Sequence, residues 1–456
     1  MNNTYKKITD KFLSIENKYK LLDQKIKGVY FWQISRVNIY LEIKNKILNG
    51  NNLIEKNILK KRLKHLPRRL FINSILLNPF FTKKKNEIII FSSGRLYNDG
   101  NKTIDIYTDY LCEDLDKEGI SYTKYETNYL NDHILSKRQR NKHIDFIVLF
   151  SKLIRFLYST KLNDKEYSLI ESIRKDINEN FGIEINILSI IKSDIKSFKS
   201  QYHLYKLLFK LEKPKEIFIV NSSDKPYIIA AAKDQKIIIN ELQHGLISDC
   251  DIINNFPYIK PNSLEYFPTR FFMWNNIDMC YASLPLSKDN IIPFRNKHID
   301  KWLQKTTNIN KEKNTILVIS QPFESLNILE YIENNISQLK EYKFIYKIHP
   351  AENKDIIKQM IEKMIIKYTN IYIIEDEEPI YSLLKKAEYV LGVYSSALFE
   401  APLFKCKIIL LNLEGVEMSL PLINNNKAKL LDLNRSLPSA LYNTLQFPTT
   451  GNGYLV

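Results

Sequence analysis

The chain has 456 residues, 44% hydrophobic and 26% charged, a composition that buries sizeable cores and excludes a disordered chain. Its length calls for two domains and an appendage rather than one small core. Sixty-seven basic against 51 acidic residues leave a net charge of +16, which suits nucleic acid, an anionic membrane surface or an acidic substrate without choosing among them.

The first residues, MNNTYKKITDKF, lack the apolar centre of a signal peptide, and no apolar run reaches the roughly 18 to 20 residues of a membrane span. A cytoplasmic protein is expected, soluble or held peripherally at the inner face of the plasma membrane. Cys112, Cys250, Cys280 and Cys406 lie far apart, with no CxxC pair and no histidine at metal-ligand spacing, so they read as reduced thiols rather than a zinc site or a disulfide framework.

Residues 1–85 form a helical, basic appendage in this reading. Ile8, Phe12, Ile15, Tyr19, Leu22 and Ile26 recur at alternating steps of four and three, placing them on one helix face, and a second helical stretch, opening with the aromatics Tyr30, Phe31 and Trp32, follows Gly28. A basic run, Lys60, Lys61, Arg62, Lys64, His65, Arg68 and Arg69, and then Lys83, Lys84 and Lys85, fits either a solvated helix face or contact with anionic headgroups.

Strand and helix alternate from residue 86, predicting an α/β fold. NEIIIF (86–91) opens a first domain over 86–265, with further strands at SYTKYE (121–126), FIVLF (146–150), EIFIVN (216–221) and KIIINEL (236–242). A helical insertion covers about 151–212. A second series fills 266–456, with strands at TILVIS (315–320), KFIYKI (343–348), NIYIIE (370–375), YVLGVY (389–394) and KIILLN (407–412). Two such series predict two Rossmann-like domains facing across a cleft, with ligands beyond the carboxyl ends of the strands.

Four short motifs fall at strand ends. Gln243-His244-Gly245 ends the last predicted strand of the first domain; a glycine there permits a sharp turn, and an imidazole can accept a hydroxyl proton near neutral pH. Lys347-Ile348-His349-Pro350 places His349 at a strand tip, with Pro350 suited to open the next helix. Tyr394-Ser395-Ser396 leads into a helix, where two hydroxyls and free amides can hold an anion or simply cap the helix. Glu377 and Glu378, within the cluster Glu375 to Glu378, can bond both hydroxyls of a ribose or serve as ordinary capping carboxylates.

The order QHG, KIHP, an acidic residue and YSS resembles bacterial surface-polysaccharide transferases of the GT-B fold over roughly residues 215–415. Two branches share it: bacterial sialyltransferases and polysialyltransferases, and the glycerol- or ribitol-phosphate polymerases of teichoic acid synthesis, acting from CDP-glycerol or CDP-ribitol. ELQHG, Tyr258 and the stretch Phe267 to Phe272 are also similar to capsule and lipopolysaccharide biosynthesis proteins. The resemblance implies that His349, with Pro350, Lys347, Ser395 and Ser396, holds the phosphate of a CMP- or CDP-linked donor, that Glu377 or Glu378 takes the ribose, and that His244 is the acceptor-activating base. The sialyltransferases usually carry paired acidic residues before the glycine, so Gln243-His244-Gly245 is nearer the teichoic acid enzymes.

Without a metal clamp, a leaving phosphate must be matched by imidazoles, hydroxyls and helix amides. A sugar with its own carboxylate adds a second anion, for which Ser92, Ser93, Arg95 and Lys347 are candidates; Gln243 and Gly245 border the acceptor, and Ser92 and Ser93 fit equally as turn formers. The expected activity is inverting, metal-independent and cofactor-free transfer of a sialic or other ulosonic acid from CMP to a surface glycan or lipid-linked acceptor. The rival is transfer of glycerol or ribitol phosphate from CDP. A non-catalytic membrane- or nucleic-acid-binding protein is the third reading, and the absence of an RNA-binding aromatic motif, zinc finger or helix-turn-helix speaks against nucleic acid.

Overall fold

The structure, a computed structural model, describes residues 4–48, 75, 78–81, 86–98, 102–126, 141–349, 352, 354–375 and 378–442. The basic run at 60–69, Lys83 to Lys85, Pro350 and Glu377 lie outside the described residues.

The first domain is a seven-stranded sheet in the order Ile291–Phe294, Arg270–Trp274, Ile238–Leu242, Glu216–Val220, Ile88–Phe91, Tyr122–Glu126, Asn141–His143, parallel throughout. The second is a six-stranded parallel sheet in the order Ile371–Ile374, Lys343–Lys347, Glu312–Ile319, Ala387–Gly392, Lys407–Leu411, Ala428–Leu431. Both are doubly wound Rossmann-like sheets, and the chain has the two-domain GT-B fold. Their strands are near-continuous apolar runs because helices cover both faces.

Each sheet has a topological switch point. In the first, the chain leaves Ile88–Phe91 toward one edge and returns to pair Glu216–Val220 on the other side. In the second, Glu312–Ile319 and Ala387–Gly392 adjoin in the same way. Strand ends flanking these points form the crevices in which such sheets bind ligands.

Three sequence expectations are corrected. FIVLF is not a strand: Asp145–Ile154 is helical, and the edge strand is the short Asn141–His143 before it. A brief apolar run has no period to separate strand from helix, and here Asp145 sits in the first turn of the helix. The first domain also continues past 265, because Arg270–Trp274 and Ile291–Phe294 extend its sheet; the boundary falls after Phe294 and before Glu312.

Nor are the N-terminal helices a mere appendage. Thr4–Lys18 and Phe31–Ile47 bury Phe12, Trp32 and Ile39 with Ile173 and Ile191 of the insertion and Phe271 of the sheet. At their centre the fully buried Glu16 accepts from the Trp32 indole at 2.6 Å and from Arg36 at 2.8 and 3.1 Å, while Arg36 also donates to the Ile252 carbonyl at 2.7 Å. The first helix reaches the second domain as well: the Tyr5 N–H donates to Glu417 at 2.6 Å, and its hydroxyl meets that of Tyr394 at 3.0 Å. The insertion is helical, as Asp164–Phe181 and Ile187–Glu212, and with Asp145–Ile154 it carries the chain from the sheet edge back across the switch point.

Candidate interdomain cleft

At the first switch point the loop after Ile88–Phe91 presents Arg95. Asp105 shapes that loop: it accepts from the Ser93 amide at 2.6 Å and hydroxyl at 2.9 Å, and from the Tyr107 and Thr108 amides at 3.1 Å each, where the helix Thr108–Lys117 begins. The Ser93 hydroxyl in turn accepts from the Arg95 amide at 2.9 Å. Ser92 is buried, its N–H donating to the Tyr125 carbonyl. The two serines thus build the turn.

Arg95 donates to the Tyr107 hydroxyl at 3.0 Å, and that hydroxyl donates to the His244 carbonyl at 2.5 Å. The Tyr107 ring stacks on Trp274, 6.2 Å between centroids, on one of the strands the sequence reading missed. Gln243 holds the turn from the other side: its amide donates to the Gly245 carbonyl at 2.9 Å, and its side-chain oxygen accepts from the Trp274 amide at 2.8 Å. Gln243 is a buried brace of the turn. Gly245 lacks a positive φ, so the turn does not demand glycine; a methyl at that position would meet open space.

The electrostatics unite the two domains. Burial pushes the His244 imidazole down to about 4, helped by the positive charges of Arg95 and Lys225 and opposed by Asp224. Burial and then Arg95 also push His349 of the second domain below its ordinary value. Glu400, fully buried, is raised to about 7 by desolvation, against the opposing pull of Arg95 and a hydrogen bond from Tyr381. Arg95 is an exposed residue whose charge acts on a histidine of each domain and on a carboxyl of the second. Beside it, an aromatic wall crosses from Tyr97 and Tyr110 to His298, Trp302, Tyr381 and Phe404.

In the second sheet His349 follows Lys343–Lys347, one strand from the switch point, and is positioned by Glu352, which accepts the His349 amide at 2.7 Å and a short hydrogen bond from the Ser320 hydroxyl. Ser320 also meets the Tyr346 hydroxyl at 2.6 Å. The Ser395 hydroxyl accepts from the Ala397 amide at 3.3 Å, capping a helix of five residues, Ser396–Glu400. Ser395 and His349 follow strands separated by Glu312–Ile319, at the same end of the sheet. The Lys347 ammonium donates to the Glu378 carbonyl at 3.2 Å, and the Glu378 carboxylate pairs with Lys386 at 2.6 Å. These contacts tie the end of Lys343–Lys347 to the turn before Ile380–Lys386.

Glu400, Tyr107, Tyr381, Glu352 and Ser320 were not singled out in the sequence, since none belongs to a recurrent motif. Among the described residues no group of three or more His, Cys, Asp or Glu is arranged to hold a metal ion.

No protein-family model matches the chain. Among curated proteins it is similar to the ribosomal operon-associated A protein of Euglena longa, 28% identical over 200 residues, which is 42% of this chain and 35% of that protein. The match thus spans about a third of that relative's length. Among solved structures it is similar to the UDP-GlcNAc 2-epimerase of Methanocaldococcus jannaschii, with 15% identity, a TM-score of 0.47, and coverage of 80% of this chain and 93% of that one. It is also similar to MurG of Acinetobacter baumannii, with 9% identity, a TM-score of 0.43, and coverage of 79% and 90%. The GT-B assignment stands on the chain's own two sheets and their switch points.

Proposed function

We propose that the chain is a nucleotide-sugar-dependent glycosyltransferase whose donor phosphate lies beside Arg95, between His244 and His349. What supports this is a single observation: one guanidinium, on the loop after Ile88–Phe91 at the switch point of the first sheet, acts on a strand-tip histidine of each domain. An oxyanion that arrives there meets a cation, a neutral imidazole able to donate one N–H, and the Ser395 and Ser396 hydroxyls at the same end of the second sheet.

The depressed His244 makes a poor base while the cleft is empty. A donor phosphate next to Arg95 offsets its positive field and raises His244 toward its ordinary range, so the base gains strength once the donor is bound. His244 then takes the acceptor hydroxyl proton, the acceptor oxygen bonds the anomeric carbon from the opposite face, and the nucleotide leaves toward His349.

The preferred donor is a CMP-linked ulosonic acid such as a sialic acid, with a surface glycan or lipid-linked saccharide as acceptor. The histidine in Gln243-His244-Gly245, in place of paired carboxylates, favours a second reading in which CDP-glycerol or CDP-ribitol donates. A turnover screen over CMP-sialic acid, CDP-glycerol and UDP-GlcNAc, reading the nucleotide released, separates these. Release of CMP from CMP-sialic acid that is lost in both His244→Ala and His349→Ala is the expected result; turnover undiminished in the double variant would sink the transferase reading.

A further inference from the structure

The insertion leaves one apolar surface uncovered. Along the helix Asp145–Ile154 and the 3-10 turn Arg155–Leu157, Ile147 and Ser151 face inward. Phe150, Leu153, Phe156 and Leu157 face out, the last three 70%, 81% and 80% exposed. Steps of three and four residues put Phe150, Leu153 and Leu157 on one face, with Phe156 beside them. Phe80 packs edge-on against Phe146, which stacks on Phe150, and so brings the 67% exposed Phe81 to the same patch. Side chains of this size are ordinarily exposed singly rather than as a cluster.

The charge along this segment has one sign. From Phe146 to Asn163 the chain carries Lys152, Arg155 and Lys161 and no acidic residue. Lys152 and Lys161 are exposed, while Arg155 is half-buried and donates to Ser193 at 3.3 Å. No described helix is long and apolar enough to cross a membrane, so this is a surface element rather than a span. We infer that this face docks on an anionic lipid surface, the Leu and Phe side chains entering the headgroup boundary and the lysines meeting lipid phosphates. Aromatic and aliphatic side chains projecting from a segment whose own exposed charges are basic are the pattern of an interfacial helix. A nucleic-acid surface would instead present a cationic stripe with stacked rings and no exposed leucines.

The test is vesicle co-sedimentation of the full chain, using phosphatidylcholine alone and phosphatidylcholine with about one third phosphatidylglycerol, in low and high salt. The wild type is expected to bind the anionic vesicles and release in high salt. The triple variant Leu153→Ser, Phe156→Ser, Leu157→Ser is expected to lose at least about thirtyfold in partition coefficient. The double variant Lys152→Gln, Lys161→Gln is expected to lose about fivefold per charge. Both should keep the wild-type melting temperature and unchanged turnover of a soluble acceptor, which separates this inference from the donor chemistry. Equal binding of wild type and triple variant would overturn it. So would a dilution-sensitive dimer that dissolves in the triple variant while vesicle binding is absent, since the patch would then bury a second copy of the chain.

Discussion

Replacing Arg95 by Met removes the charge that acts on both imidazoles while leaving the Asp105-anchored loop intact. Arg95 lies 3.0 Å from the Tyr107 hydroxyl, which lies 2.5 Å from the His244 carbonyl oxygen. At a separation of roughly 8 Å, two charges at an effective dielectric of about 20 to 40 interact by about 1 to 2 kcal/mol, or about one pKa unit. Burial is the larger cause of the His244 depression and survives the substitution. The imidazole should therefore rise from about 4 to about 5 and stop short of 6.5. A pH titration of 13C-histidine-labelled protein by NMR reads this directly, with the His244 signal assigned by its loss in His244→Asn. His349 should move the same way in the same titration. Loss of a charge-assisted hydrogen bond, worth about 1.5 to 3 kcal/mol, should also raise the donor KM about 10- to 100-fold. Two imidazoles that titrate as in the wild type, in a variant that still melts normally, would refute the shared cleft.

Glu400 has a folded pKa raised from 4.5 to about 7, so the stability tied to its protonated form is present below 4.5 and is lost as pH rises through 7. Glu400→Gln should remove that dependence, worth about 2 to 3 kcal/mol; thermal-melt scans from pH 5 to 8 should fall less steeply for the variant, and equal slopes would contradict the burial argument. Glu352→Ala strips the acceptor from the His349 amide and the Ser320 hydroxyl and should cost about 1 to 3 kcal/mol in urea unfolding together with weaker nucleotide binding. Glu352→Gln, which keeps an acceptor oxygen, should recover the binding. Glu16→Ala leaves Arg36 buried without its carboxylate and should cost about 3 to 5 kcal/mol, measurable as a shift of the urea midpoint. A loss below about 1 kcal/mol would return the N-terminal helices to the status of a detachable appendage. Gly415→Ala sets a methyl 2.6 Å from the Tyr394 ring at φ +86°, and a melting temperature equal to wild type would show that the Tyr5–Tyr394 contact is loose.

The second domain was the more legible of the two. TILVIS, KFIYKI, NIYIIE, YVLGVY and KIILLN are all strands within one to three residues of their expected bounds, because each is a β-branched run closed by a turn. The first domain hid more. Arg270–Trp274 overlaps the stretch Phe267 to Phe272, which the sequence marks only by resemblance, and Ile291–Phe294 is short and holds a proline; only pairing with their neighbours makes both strands of the first sheet. FIVLF had no period long enough to distinguish helix from strand.

Among site residues the division follows range. His244 and His349 were recognisable because local chemistry, a strand end followed by a glycine or proline, marks them out in the chain itself. By itself the sequence determined the alternation of strands and helices, the two-domain plan and the residues at the strand tips, all properties of neighbours within about ten positions. Strand order, and with it the two switch points, was decided only in three dimensions, since each depends on which distant strands pair. The same is true of the Arg95 cleft: its charge, the two imidazoles and the Glu400 carboxyl come from loops and helices far apart in sequence, and electrostatic coupling falls with distance through space, not along the chain.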